Sequence, residues 1–155
     1  MNNPSVSVII LSFNTKDITD KCLAKLSLAK KEAEKEKIEA EVIVLDNASS
    51  DGSVEMIKNK YPWVKLIISK ENTGFAKGNN IAMAKAESDY FLLLNSDAFV
   101  GKETLVKAIN YFETHPDCDV LGCRLVYPEG SFQPSGGELP GPNNVATWLF
   151  GVELI

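Results

Sequence analysis

The chain has 155 residues, of which 45% are hydrophobic and 24% charged, so it is long enough for a buried core and too apolar to be disordered. With 16 Lys and Arg against 21 Asp and Glu, its formal net charge is −5, which excludes a general affinity for the nucleic-acid backbone. No apolar run approaches the ~20 residues of a membrane helix, no basic leader opens the sequence, and Cys22, Cys118 and Cys123 lack zinc or disulfide spacing, which fits a reducing compartment.

Ser5 to Leu11 is short, apolar and β-branched, and reads as a strand buried on both faces. Asn14 or Thr15 can cap a helix in which Ile18, Cys22, Leu23, Leu26 and Ala29 fall at helical spacing. That helix runs on into a charged end, Lys30 to Lys37, where Glu32/Lys35 and Glu34/Lys37 have the spacing of ion pairs. Glu41 to Leu45 is a second strand, ending at Asp46, and Asp51 to Tyr61 a short helix stopped by Pro62. Val64 to Ile68 is a third strand. Phe75 to Ala86 is a helix whose Gly78, Ala82 and Ala86 form a thin seam able to lie close to a sheet. Tyr90 to Leu94 is a fourth strand. Leu105, Ala108, Ile109 and Phe112 mark a helix closed by Pro116, and Val120 to Val126 is expected as a fifth strand. Cys118 and Cys123 read as small buried apolar residues. Pro128 to Asn144 is rich in Pro and Gly and reads as a turn and irregular loop. Trp148 to Phe150 would open a further element.

Alternating strands and helices with short connections predict an α/β fold: an open, mostly parallel sheet with helices on both faces. Right-handed crossovers place every strand-to-helix loop on one edge, where such folds bind ligands. Those loops are Ser12-Phe13-Asn14, Asp46 to Ser53, Glu71 to Asn80, and Asn95-Ser96-Asp97, and all four are polar. A nucleotide carrying a diphosphate suits them. Asp46 can accept from a ring imide or a ribose hydroxyl. Gly74 and Gly78 bracket a helix start, which favours an anion. Asp97 beside Asn95 offers hard oxygen ligands to Mg²⁺ or Mn²⁺. Each also has a plainer reading: Asp46, Asp97 and above all Asp51 as turn or helix caps, Asn72 and Gly74 as a tight turn. His115, beside Pro116, reads as a helix-end residue. The chain has no P-loop motif and no GxGxxG after its first strand, and Ser12-Phe13-Asn14 supplies neither the acidic cluster nor the phosphate loop of a receiver or flavodoxin-like domain.

Taken in order, Val-Ile-Ile-Leu-Ser-Phe-Asn, Val-Leu-Asp-Asn-Ala-Ser-Ser-Asp-Gly-Ser, Glu-Asn-Thr-Gly-Phe-Ala-Lys-Gly-Asn-Asn and Leu-Leu-Leu-Asn-Ser-Asp resemble family 2 glycosyltransferases of the GT-A fold, in their rhamnosyltransferase-like branch, over about residues 5 to 137. The resemblance implies a nucleotide-diphosphate sugar donor, a divalent metal (Mg²⁺ or Mn²⁺) and inverting transfer to an acceptor hydroxyl. It implies that Asp46 contacts the base, that Asn72, Gly74 and Asn79 line the nucleotide pocket with Ser12, Asn14 and Ser96, and that Asp97 holds the metal. The acceptor it implies is a saccharide or lipid-linked saccharide. It also implies a cytoplasmic location, with contact to the inner membrane face and homo-oligomerisation left open.

Two departures stand out. The first carboxylate of the family's Asp-x-Asp motif is Asn95 here. No acidic motif follows in which a general base would sit, Glu138 and Glu153 being the only acidic residues after Glu129. Residues 1–127 are therefore expected to form the donor-binding domain and residues 128–155 a hairpin and the incomplete start of an acceptor side, with the base outside the chain. The alternative is a binding module that holds a nucleotide sugar without turnover.

Overall fold

The computed structural model describes residues 3–135. The chain divides into two compact units between Cys118 and Asp119. In the first, four parallel strands form one sheet: β1 (Ser5–Ser12), β2 (Glu39–Asp46), β3 (Lys65–Ile68) and β4 (Tyr90–Asn95), in the order β3-β2-β1-β4. The helices between and after them are α1 (Lys16–Lys35), α2 (Ser53–Lys60), α3 (Phe75–Met83) and α4 (Thr104–Thr114). These are the first four strands and the four helices that the sequence predicts, with ends that coincide or shift by up to three residues.

The sheet is covered on both faces because β1 alternates between them. Val6, Val8 and Ile10 meet Cys22, Leu23, Leu26 and Ala29 of α1, with Met56 and Ile57 of α2 and Leu105 and Ile109 of α4. Ile9 meets Ile43, Leu45 and Ala82 on the opposite face, where α3 lies. The small-residue seam of α3 does what its pattern suggests. A Cβ built on Gly78 would stand 2.6 Å from Leu11 Cδ1, so the helix backbone approaches β1 as closely as glycine permits. Ala82 is fully buried behind it.

The expected fifth strand is corrected. Among the described residues the second unit holds a two-stranded antiparallel ladder, β5 (Leu125–Val126) with β6 (Phe132–Gln133), and no strand over 120–124. Gly122 breaks the apolar run, and the nearest ladder partner is local, across the Pro128-Glu129-Gly130 turn, where Gly130 takes φ +89°. The tail from Gly136 onward, including Glu138, Trp148, Leu149, Phe150 and Glu153, lies outside the described residues. Of the two charge pairs expected at the end of α1, Glu32–Lys35 forms at 2.9 Å. Glu34 pairs instead with Lys30 at 2.6 Å, because Lys37 has left the helix in a left-handed conformation, φ +61°. Among the described residues no helix is long and apolar enough to cross a membrane.

The cysteines also depart from expectation. Cys123 is exposed and Cys118 half-buried, since both follow α4 in a stretch without helix or ladder; Cys22 alone is fully buried. Burial, helped by the negative charge of Asp97, pushes the Cys22 thiol up to about 11. At pH 8 only about one Cys22 in a thousand is then thiolate, against roughly a quarter of an ordinary thiol. Iodoacetamide is expected to label Cys123 in the folded protein and Cys22 only after denaturation, as peptide mass mapping can show. Prompt labelling of Cys22 would mean that α1 does not pack as described.

Candidate functional site

The strand order reverses beside β1: the chain runs outward from β1 to β2 and β3 on one side, then crosses back to place β4 on the other side of β1. Open α/β sheets bind ligands in the crevice outside the strand ends at such a point. The register brings the ends level: Ser12 is opposite Asp46, Asp46 opposite Ile68, and Leu11 opposite Asn95. The four polar loops therefore leave one edge of the sheet side by side, as the sequence predicts.

Side chains stitch the loops together. Asn14 takes φ +51°; its N–H donates to Ser49 Oγ at 2.9 Å and its Oδ1 accepts the Ser50 N–H at 2.8 Å. Asp51 Oδ2 accepts the Lys16 N–H at 2.8 Å while Oδ1 accepts the Ser53 N–H and hydroxyl at 3.0 and 2.6 Å. One carboxylate thus caps the starts of α1 and α2, the capping role the sequence favoured for it. Burial acts to raise the Asp51 pKa, but bonds from the Ser53 hydroxyl and from the backbone N–H groups of Lys16, Ser53 and Asp51 itself outweigh it and leave it below the usual carboxylate value. Thr15 Oγ1 reaches Ser96 Oγ at 3.5 Å, tying the first loop to the fourth. Ser12 is fully buried, and its hydroxyl is engaged with those of Thr15 and Thr19, at 3.1 Å each.

Asp46 sits in the middle of this edge and is fully buried. Its Oδ1 accepts the Ser49 N–H at 2.9 Å, which turns the chain away from β2. Its Oδ2 is buried with no hydrogen-bond partner among the described residues. A buried polar atom left in that state costs about 1–3 kcal/mol. Such an atom marks either a defect or a place kept for a donor from outside.

Between the second and third loops lies a pair of amides. Asn47, only 2% exposed, donates from Nδ2 to Asn72 Oδ1 at 2.8 Å and accepts the Thr73 N–H and hydroxyl on Oδ1 at 2.8 and 3.1 Å. Asn72 Oδ1 also accepts the Gly74 N–H at 2.9 Å. Gly74 has φ +76° and ψ 175°, a conformation essentially closed to other residues. It precedes α3, whose first free N–H groups belong to exposed residues. Asn79 is buried and donates from Nδ2 to the Phe75 carbonyl at 2.9 Å, so its amide lies along its own helix. The sequence reading singled out Asn72, Gly74 and Asn79 but passed over Asn47. The available signal was an Asn directly after a strand-end Asp, facing an Asn-Thr-Gly turn.

At the fourth loop, Asn95, Ser96 and Asp97 turn out of β4, with the Ala98 N–H bonding the Asn95 carbonyl at 3.0 Å. Asp97 is exposed and takes part in no hydrogen bond or ion pair among the described residues. No group of three His, Cys, Asp or Glu gathers there or elsewhere among those residues. One unengaged carboxylate is nevertheless the kind of protein donor that Mg²⁺ or Mn²⁺ accepts when phosphate oxygens and water complete its shell. The residues present fit such an ion held jointly with a diphosphate, and do not fit an all-protein cage.

Comparison with known proteins agrees with this geometry. The chain is 36% identical over 118 residues to the uncharacterised glycosyltransferase YfnE of Bacillus subtilis, covering 75% of this chain and 29% of that protein. It is 24% identical over 144 residues to the N-acetylglucosaminyl-diphospho-decaprenol L-rhamnosyltransferase of Mycobacterium tuberculosis, covering 86% and 45%. It superposes on crystalline Staphylococcus aureus TarS 1–349 in complex with UDP-GlcNAc with a TM-score of 0.61 at 27% identity, covering 72% of this chain and 32% of that one. The chain therefore spans less than half the length of these curated relatives. The sheet is the GT-A type that the sequence motifs implied. The profile of glycosyl transferase family 2 matches residues 7–150, a stretch that takes in all four strand-end loops, and on that match the chain belongs to glycosyl transferase family 2.

Proposed function

We propose that this chain carries the donor-binding part of an inverting glycosyltransferase, which moves a sugar from a nucleoside diphosphate to a hydroxyl of a saccharide or lipid-linked saccharide. The observation that carries the reading is Asp46 Oδ2, buried at the centre of four cross-stitched loops and lacking a donor among the described residues. An imide N–H of a nucleobase is such a donor. It reaches Oδ2 by displacing the loop atoms that cover it, and the hydrogen bond then removes the cost of the orphaned oxygen. The exposed start of α3 beyond Gly74, with Asn72 beside it, suits the diphosphate. Asn14 and Ser96 border the same crevice. Ser12 and Asn79 support it from beneath, since both are buried and bonded to neighbouring protein atoms. The similarity to TarS, a protein crystallised with UDP-GlcNAc, supports a UDP-sugar as the first donor to try.

Asp97 would hold the metal, and an ion bound there supplies Lewis-acid stabilisation of the leaving diphosphate. The acceptor oxygen attacks the anomeric carbon from the side opposite the diphosphate. The carbon–oxygen bond to phosphate breaks, and the hydroxyl proton passes to a base that we place outside this stretch of chain. We place the reaction on the cytoplasmic side of the membrane. A second reading, binding without turnover, draws on Asn95, an amide where the family motif carries its first carboxylate.

Calorimetry of the chain with UDP, dTDP and GDP, each with and without Mn²⁺, tests the donor site. At least one nucleotide is expected to bind, and more tightly with Mn²⁺. A folded chain that binds none of them overturns the reading. Equal affinity in EDTA and in Mn²⁺ removes the metal from it.

A further inference from the structure

We infer that Asn47 is a positioning residue of the nucleotide pocket: it locks the Asn72 amide in one orientation, so that Asn72 presents its NH₂, and not its oxygen, to an acceptor atom of a nucleoside diphosphate. The inference rests on the donor-site reading above. Its basis is the hydrogen-bond chain between the second and third loops. A backbone N–H can only donate, so the Thr73 N–H at 2.8 Å requires the oxygen of Asn47 on that side. The other end of the Asn47 amide is therefore its NH₂, which faces Asn72 at 2.8 Å and requires an oxygen there. The Gly74 N–H, 2.9 Å from the same Asn72 atom, requires that oxygen independently. Two backbone donors thus fix both amides with no freedom to flip. Asn47 cannot rotate away, because it is 2% exposed and fully engaged. What remains is Asn72 Nδ2, on an exposed residue, with no protein partner among the described residues. It lies beside the positive-φ Gly74 that opens α3, so the fixed donor and the helix start present N–H groups together.

The chain of bonds makes two substitutions diagnostic. Asn72 uses only its oxygen internally, so Asn72→Asp keeps both the Asn47 and the Gly74 bonds and changes the outward atom from a neutral donor to an anionic acceptor. Asn47→Asp does the reverse. It keeps the Thr73 bond but sets an oxygen against Asn72 Oδ1, so the Asn72 amide turns round, Gly74 loses its acceptor, and the outward atom becomes an oxygen.

The experiment combines amide hydrogen exchange with calorimetry of the 155-residue chain against UDP, GDP and dTDP in Mn²⁺. For Asn72→Asp we expect unchanged protection at Thr73 and Gly74 and affinity weaker by about tenfold or more, one hydrogen bond lost and a carboxylate set near the diphosphate. For Asn47→Asp we expect lost protection at Gly74, retained protection in β1 and β2, and a similar loss of affinity. Asn47→Ala adds no charge and covers the case in which the acidic variant does not fold; it is expected to lose protection at Thr73, whose acceptor is gone, and to lower it at Gly74, whose acceptor Asn72 Oδ1 is then held from one side only. If the wild-type chain binds a nucleotide and the Asn47 and Asn72 variants bind it equally well, the inference alone falls. Unchanged Gly74 protection in both Asn47 variants also overturns it. If the folded wild-type chain binds no nucleotide, the donor-site reading falls and takes the inference with it.

Discussion

Asp46→Asn is expected to leave the protein folded and at least as heat-stable as the wild type while weakening nucleotide binding by about a hundredfold. The two halves of this expectation come from the two oxygens of one carboxyl group. Oδ1 accepts the Ser49 N–H, and the amide oxygen of Asn can do the same. Oδ2 is buried and has no partner among the described residues, so an NH₂ in its place removes no bond made by them. It also replaces a carboxyl group by a neutral amide, which is cheaper to bury. Ligand binding feels the change differently. A hydrogen bond to a charged group contributes about 1.5–3 kcal/mol. An NH₂ facing a base N–H loses that bond and sets donor against donor, and a site built to pair one polar group rejects the wrong one strongly. Thermal melting and calorimetry on the same preparations separate the outcomes. A melting point lowered by many degrees with intact affinity makes Asp46 a structural cap. Unchanged melting and unchanged affinity move the pocket elsewhere on the edge.

Elements were legible in this sequence where one physical signal dominated. Val6 to Ile10 is a run of mostly β-branched residues with no amphipathic period, and it lies buried on both faces because helices cover both. Gly78, Ala82 and Ala86 announced a close helix–sheet contact: Gly78 meets Leu11, and Ala82 and Ala86 join the cluster around Ile9, Ile43 and Leu45. Val120 to Val126 carried the same apolar signal and failed, because a strand also needs a ladder partner. The pairing available to Leu125 and Val126 is set by the Pro128-Glu129-Gly130 turn that follows them, and local periodicity does not encode such a pairing. The candidate site divides along a similar line. That Asp46, Asn72 and Asp97 share an edge follows from chain direction and crossover handedness alone. How each polar group is used does not follow. Ser12, Asp46 and Asn47 are all polar residues at or just after a strand end. The structure engages the first in a hydroxyl cluster, leaves one oxygen of the second without a partner, and commits the third to holding a turn. The partners of Ser12 and Asp46 Oδ1 are local, but the use of Asn47 is decided by Asn72 and Thr73, 25 and 26 residues further on, which no short motif contains.

Asp97→Ala is expected to abolish the Mn²⁺-dependent gain in nucleotide affinity with almost no change in melting point. Asp97 is exposed and bonded to nothing among the described residues, so its truncation removes neither a cap nor packing. Surface changes of that kind stay within about 0.5 kcal/mol. Asp97 is also the only carboxylate in the Asn95-Ser96-Asp97 turn, so Ala leaves no anionic ligand there. Asp97→Asn should behave similarly, since a neutral amide oxygen does not balance a divalent charge. The gain itself is expected to be about tenfold or more, because a metal bound jointly by one carboxylate and a diphosphate links protein to ligand through two charge contacts. Two readouts besides affinity bear on the same ion. Mn²⁺ is paramagnetic, and with nucleotide present it should broaden the backbone amide signals of Ser96 to Ala98 in the wild type and spare them in the variant. The Cys22 thiol, raised by burial and then by the Asp97 charge, should ionise somewhat more readily once that charge is removed. Mn²⁺ on the wild type with nucleotide should move Cys22 in the same direction, because a cation at Asp97 cancels the charge that opposes the thiolate. If Asp97→Ala keeps the full Mn²⁺ effect, the ion binds through the nucleotide alone, and the carboxylate just beyond β4 is only a turn residue.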